Sequence, residues 1–266
     1  SLHYKSFSVY TEEIIGETNN KLEKFSMYQD FTSSGVGINF KAGFIYRPIP
    51  VLRLGFAIHT PTYYDLDAYA NNNVSAKFTE LPVEDAKPTD NFEYGESAWT
   101  DYSYKLKTPW RFMASAATVL GQRAIISFDY EYVDYTTAKY SNDGAKNEYL
   151  ETNNAIKAIY NSTHNFRAGA EYRFNSVFYL RGGYAYSASP YTKGEMNEKN
   201  DIQIITGGLG LNFGVFYADL AYLHKASKLN GLFYYYETSK GQVIESPEFQ
   251  TKFKDNEFRL TLGIRF

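Results

Sequence analysis

The sequence has no cysteine among its 266 residues, which excludes disulfide bridges and cysteine-based metal sites. The four histidines are scattered, and no two have the spacing of metal ligands. A nucleophilic enzyme would need Ser or Asp beside His on neighbouring strands, yet Ser127 has no histidine at an evident partner position. We therefore expect neither a metal, nor a cofactor, nor a catalytic residue.

Long apolar segments are also missing. No uninterrupted apolar run reaches roughly 18 residues, the length that a membrane helix needs, and the mean hydropathy is -0.44. Both features argue against a helical membrane protein. The net charge is -3 and the chain has no basic tract, so nucleic-acid binding has no electrostatic support.

The first residues carry no recognisable export signal. Residues 1–5 have neither the basic start nor the apolar core of a signal peptide. We expect a mature, cleaved or partial chain.

Aromatic residues are abundant, at 18% of the chain, and they recur in alternating patterns. In residues 258–266 apolar and polar side chains alternate up to the final ring of Phe266. Successive side chains of a strand point to opposite faces, so this segment predicts a strand with one apolar and one polar face. Such an ending is typical of the closing strand of a transmembrane β-barrel.

The same alternation predicts eight further strands. They lie at 36–46, 52–58, 102–114, 126–132, 166–174, 178–186, 202–213 and 215–224. Residues 4–10 resemble the end of one more strand. Short connections at 47–50, 120–122, 175–177 and around Gly214 alternate with long polar ones at 61–100, 137–163, 188–200 and 226–255. A rough helical stripe runs across 148–160 in one of these long connections.

This rhythm favours an all-β fold, an antiparallel transmembrane β-barrel with short periplasmic turns and long external loops. A soluble β-sandwich would also alternate along its strands. It would not readily give the short and long rhythm, or charges on the polar face of nearly every strand.

Charged residues on the predicted lumen face are the best functional candidates. An arginine fork suits carboxylate capture because it binds bidentately. For any single residue, a cross-strand ion pair or polar network that stiffens the wall is the simpler interpretation. The substrate-binding candidates are His59, Lys105, Arg111, Arg167 and Arg181.

Several stretches, in order, resemble the outer-membrane long-chain fatty acid and aromatic hydrocarbon transporter family, the FadL-like OMPP1/FadL/TodX group. They are 35–61, 106–111 with 127–135, 166–174 with 180–187 and Pro190, and 207–211 with 219–222. The resemblance implies a fourteen-stranded barrel with an N-terminal hatch. No hatch and only nine or ten strands are recognisable, so we expect 1–266 to be one barrel domain, the C-terminal part of a larger barrel.

The resemblance also implies a function in the outer membrane of a Gram-negative bacterium. We expect passive import of hydrophobic small molecules such as long-chain fatty acids or aromatic hydrocarbons. Apolar residues of the long connections, among them Leu66, Leu150 and Ile156, would capture the solute or belong to strands that extend beyond the membrane. Expected partners are outer-membrane lipid and the barrel assembly machinery, which would act on the strand ending at Phe266. The alternatives are a general or solute-specific porin, a structural or adhesive barrel, and a haem receptor with His59 as axial ligand.

Overall fold

The computed structural model describes residues 2–14, 22–78, 96–121, 123–144, 148–232, 235–237 and 241–264. Antiparallel strands dominate these residues. In chain order the elements are β1 (Leu2–Ile14), β2 (Leu22–Ile38), β3 (Lys41–Ile49), β4 (Leu52–His59), β5 (Tyr63–Phe78), β6 (Glu96–Lys107), β7 (Arg111–Leu120), β8 (Ala124–Asp134), β9 (Lys139–Ser141), α1 (Leu150–Ile159), β10 (Ser162–Arg173), β11 (Phe178–Ser187), β12 (Ile202–Asn212), β13 (Phe216–Leu232), β14 (Tyr235–Glu237), β15 (Val243–Glu245) and β16 (Glu248–Ile264).

The first of two compact units draws on 1–38, 62–107 and 140–149. Its sheet has the strand order β1-β2-β5-β6-β9. Leu66, Ala68 and Tyr104 form its small buried core. The hydroxyl groups of Tyr104 and Ser33 lie 3.0 Å apart inside this unit, so the one buried phenol of the core has a hydrogen-bond partner.

The second unit draws on 39–61, 108–139 and 150–266. Its main sheet has nine strands in the order β16-β13-β12-β11-β10-β8-β7-β4-β3. β14 and β15 form a separate two-stranded hairpin. Each of these nine strands overlaps one of the nine predicted strands, which confirms the alternation read from the sequence.

The register of the nine-stranded sheet sorts its side chains into two faces. Residues paired across antiparallel strands share a face. The alternating apolar residues that the sequence shows on each strand are paired with those of the next strand, so they lie on one side of the sheet. We call this side the aromatic face and the opposite side the charged face. Pairs on the aromatic face include Phe44 with Phe56, Ile58 with Phe112, Ala114 with Tyr130, Tyr130 with Phe166, Tyr184 with Ile205, Leu209 with Leu220, and Leu220 with Leu260.

Two predicted strands are interrupted. The strand predicted at 36–46 is divided between β2, which ends at Ile38, and β3, which begins at Lys41 in the other sheet. The second case is the strand predicted at 102–114, where β6 ends at Lys107 and β7 begins at Arg111. Pro109 lies in this gap, and proline has no N–H group for a ladder hydrogen bond. The two halves pair in different sheets, β6 with β5 and β7 with β4.

The loop predictions at 61–100 and 226–255 were wrong for most of their described residues. β5 and the start of β6 occupy the first, and parts of β13 to β16 occupy the second. β5 begins with polar residues such as Asp65 and Asp67, which flank the buried Leu66. Because the buried core beside β5 is small, only a few of its residues need to be apolar, and its sequence can look like a polar loop.

Other elements follow the sequence closely. β1 confirms a strand at residues 4–10, and α1 confirms the helix expected across 148–160. No helix in the described part of the chain is long and apolar enough to cross a membrane. Gln122 and Phe266, which the sequence placed in a turn and at the strand end, lie outside the described residues. The single barrel domain stays a prediction.

The core of the first unit makes a direct prediction. Leu66 is 2% exposed, whereas Leu2 in the same sheet is 88% exposed. Leu66→Ala should destabilise the protein by roughly 2–4 kcal/mol because it leaves a cavity. Leu2→Ala should change little. Thermal unfolding and limited proteolysis of the two variants check this, and equal effects would contradict the assigned core.

Candidate functional site

Three basic side chains line up at one end of the charged face. His59 ends β4 and is paired with Lys41 of β3 on one side and Arg111 of β7 on the other. We call these three residues the cationic row. They lie at the strand ends opposite the short turns, because β3 and β4 are joined at their other ends by the turn between Ile49 and Leu52.

One carboxylate accompanies the cationic row. Nη1 of Arg111 lies 3.8 Å from Oε1 of Glu131, which is itself 8% exposed. Nδ2 of Asn165 donates to the same Oε1 over 3.1 Å. Glu131 is therefore shared between a cation and an amide, and it offsets at most one positive charge of the row.

A hollow of about 580 Å³ begins one residue pair from the cationic row. Ala57 precedes His59 by two residues, and its partner Met113 follows Arg111 by two residues. This pair therefore lies about 7 Å along the strands from the pair of His59 and Arg111. Small residues recess this part of the wall, and a Cβ atom at Gly55 would collide with the side chain of Ser115. The lining residues on the charged face are Gly43, Ile45, Gly55, Ala57, Met113, Ser115, Asp129 and Arg167.

A second hollow of about 430 Å³ lies further along the charged face. Asp129 and Arg167 are directly paired across β8 and β10, and they line both hollows. Arg181 also lines the second hollow. The charged face therefore brings four of the five candidates into one sheet: His59, Arg111, Arg167 and Arg181.

Arg181 is held by two carboxylates. Its Nε lies 2.7 Å from Oε2 of Glu171, and its Nη1 lies 2.5 Å from Oδ1 of Asp219. Both edges of the guanidinium group thus bind carboxylates. Arg181 lies on β11, Glu171 lies on the neighbouring β10, and Asp219 lies on β13, one strand beyond the neighbouring β12. This geometry fits a cross-strand ion-pair network that stiffens the wall rather than a free fork for a solute.

Lys105 is separate from the other four candidates. It lies on β6 in the first unit, and its Nζ is 2.5 Å from Oδ1 of Asp143. Nearby, four tyrosine rings of that unit contact one another in a row, with ring centroids 5.7, 5.6 and 6.0 Å apart. They are Tyr102, Tyr104, Tyr140 and Tyr149.

Two apolar residues expected to capture solute are buried instead. Leu66 is in the core of the first unit, and Ile156 is buried on the inner side of α1. Their apolar character serves packing, so the capture prediction was wrong for both. Leu150, at the start of α1, is exposed and keeps that expectation.

The sequence missed Asn165 as a site residue. The strand prediction began at 166, but β10 begins at Ser162 and brings Asn165 opposite Glu131. The alternation of Thr163, Asn165 and Arg167 against Phe166 was the available signal. No His, Asp or Glu grouping among the described residues could hold a metal ion.

Residues 4–213 match the family described as outer membrane protein transport protein (OMPP1/FadL/TodX). The chain belongs to this family. It is thus a protein of the bacterial outer membrane with the FadL-type transmembrane β-barrel fold. In such barrels the apolar side of each strand meets lipid and the polar side meets the lumen. The aromatic face is accordingly the lipid side and the charged face the lumen side.

The chain is similar to several solved structures. A FadL homologue from Pseudomonas aeruginosa aligns with a TM-score of 0.56 and 16% identity, over 99% of this chain and 68% of that one. The Pseudomonas putida toluene transporter TodX has a TM-score of 0.47 and 11% identity, over 100% and 70%. The CymD monoaromatic hydrocarbon channel has 0.46 and 13%, over 85% and 68%. Among curated proteins, no sequence matches significantly.

Because Arg181 is held in an ion-pair network, we expect its replacement to impair stability and to leave transport normal. Arg181→Gln should lower the free energy of unfolding by about 1 kcal/mol, because two partly exposed carboxylates lose their shared partner. High salt should shrink the difference. Urea unfolding in detergent at low and high salt measures it. Arg53→Gln, an exposed arginine on β4, is the control; equal stability of the two variants would contradict the structural role.

Proposed function

We propose that this protein imports hydrophobic small molecules passively across the outer membrane, and that its preferred solutes carry a carboxylate, as long-chain fatty acids do. The observation that carries the proposal is the cationic row beside a recessed hollow on the lumen side. Aromatic hydrocarbons are the second solute class. Membership in an outer-membrane transport family supports the broader function.

Charge favours an anionic head group at the cationic row. Lys41 and Arg111 are basic side chains, and Glu131 is already shared with Asn165. The row therefore keeps a positive excess that a carboxylate would balance. Arginine can bind both oxygens of a carboxylate at once, which orients the head group.

Shape and polarity favour an apolar tail in the adjacent hollow. Gly43, Gly55 and Ala57 leave room, and Ile45 and Met113 supply apolar surface. Methionine adapts to irregular apolar partners because its side chain is flexible and polarizable. A solute with its carboxylate at the cationic row would thus lay its tail along the hollow toward Arg167.

The free energy for transport comes from the concentration gradient of the solute. The sequence has no nucleotide-binding motif, so the solute moves down its concentration gradient. Binding must be weak enough for release, and a head group held by one or two exposed cations meets that condition. Exposed apolar residues such as Leu150 would make the first contact.

Arg111→Gln tests the proposal. It should reduce uptake of a long-chain fatty acid about tenfold, because a charged hydrogen bond contributes about 1.5–3 kcal/mol. Uptake of toluene, which has no carboxylate, should stay unchanged. Uptake of both labelled solutes by cells that lack other hydrophobic importers is the measurement. Arg53→Gln is the matched control, since it removes the same charge on the same face six residues before His59.

The two solutes distinguish the alternatives. Equal loss of fatty acid and toluene uptake in Arg111→Gln would contradict carboxylate recognition. Equal loss in the Arg53→Gln control would point to a general charge effect. A porin is the second candidate because both hollows carry charged linings. A porin would show a steady, large single-channel conductance and no preference for either hydrophobic solute.

A further inference from the structure

The lipid side of the β13–β16 hairpin changes character along its length. Register places the following pairs on the aromatic face, starting from the short-turn end: Ala218 with Leu262, Leu220 with Leu260, Tyr222 with Phe258, His224 with Asn256, Ala226 with Lys254, and Lys228 with Lys252. Apolar pairs thus give way to an aromatic pair, then to a polar pair, and then to lysines.

The aromatic pair marks the edge of the hydrocarbon layer. The rings of Tyr222 and Phe258 lie 4.9 Å apart. The Tyr222 hydroxyl donates to Oδ1 of Asn256 over 2.8 Å, and Nδ1 of His224 lies 2.8 Å from the same oxygen. An aromatic girdle with polar partners on its outer side is the usual interface structure of outer-membrane barrels.

The backbone positions of the lysines then lie just beyond the depth of the lipid head groups. Lys254 is four residues beyond Phe258, which is about 14 Å along a strand and about 10 Å along the membrane normal at the usual tilt. Lys252 lies about 5 Å further out by the same reckoning. Head groups begin where the hydrocarbon layer ends and extend for roughly 5–8 Å on each side. Flexible lysine side chains can reach back into that layer.

The charge at this place is positive and uncompensated on its own face. Lys228, Lys252 and Lys254 are exposed, and none forms an ion pair with another described residue. The acidic residues beside them turn to the charged face. Asp255 pairs with Lys225 at 3.9 Å, and Glu257 pairs with Arg259 at 2.5 Å.

The neighbouring segment 195–198, whose Met196 and Asn197 contact Asn230, carries Glu195 and Glu198, and Glu198 is paired with Lys199 at 3.4 Å. On the same face of β16 the nearest described acid is Glu248, four residues or about 14 Å beyond Lys252. On β12, the residue paired with Ala226 is the neutral Gln203. The lysine cluster therefore presents a positive surface directly above an apolar strip.

We propose that Lys228, Lys252 and Lys254 form a binding site for the phosphate groups of lipid in the outer leaflet. The acyl chains of that lipid would pack against Leu260 and Leu262 below the aromatic pair. Lysine is a strong point charge for phosphate, and basic clusters beside a membrane-spanning segment attract anionic head groups. The site rests on the orientation of the sheet in the membrane and is independent of the proposed transport.

The test compares two double variants in the detergent-extracted protein. Lys252→Gln/Lys254→Gln should bind diphosphorylated lipid A about 25-fold more weakly than the unmodified protein, since each lysine near an anionic surface contributes about a fivefold factor. Lys139→Gln/Lys157→Gln removes two exposed lysines elsewhere and should bind normally. Native mass spectrometry across a lipid titration gives the affinities, and heat-dependent gel mobility verifies that each variant is folded.

A lipid comparison on the unmodified protein makes the test independent of folding. Lipid A stripped of its phosphates should bind far more weakly than the diphosphorylated form, and high salt should remove the difference. Equal binding of the two lipids would overturn the proposal. So would an equal loss of affinity in the Lys139→Gln/Lys157→Gln control.

Discussion

The pairing register of the antiparallel strands is the constraint on which the other features depend. Side chains alternate with a period of two, so a slip of one residue in any strand would turn its charged series toward lipid. Arg or Lys at the middle of the bilayer costs roughly 2–4 kcal/mol for each residue. β10 is an example, because Arg167 and Glu171 alternate with Phe166 and Ala168 along a single strand. A slip of one residue in β10 would turn both charged side chains toward lipid. The same backbone hydrogen bonds that satisfy the strand in lipid also set the positions of the lumen charges.

The faces of the strands were predictable because the lipid and the lumen impose opposite demands on neighbouring residues. The segment 166–174 shows this well, since the apolar residues of its strand part pair with apolar residues on β8: they are Phe166, Ala168, Ala170 and Tyr172. The strands of the first unit were not predictable in this way. In β5 the demand for an apolar face is limited to Leu66 and its few neighbours, so the polar residues around it read as a loop.

Candidate site residues were predictable as a class but not in their roles. Sequence alone placed Arg111 and Arg181 on the same face with the same chemistry. The structure separates them, because Arg181 lies between two carboxylates and Arg111 shares one with Asn165. Partners on other strands come from long-range register, which a local pattern does not encode. For the same reason the sequence could not show that lysines 228, 252 and 254 meet on one face above the aromatic pair.

The central claim is that the charged face meets water and the aromatic face meets lipid, and a cysteine scan along β10 tests it most directly. The natural chain has no cysteine, so each introduced thiol can carry a single spin label. With the protein in lipid bilayers, labels at 167, 169 and 171 should be relaxed by a water-soluble nickel chelate. Labels at 166, 168 and 170 should be relaxed by oxygen dissolved in the lipid. The opposite phase, or no period of two, would contradict the account.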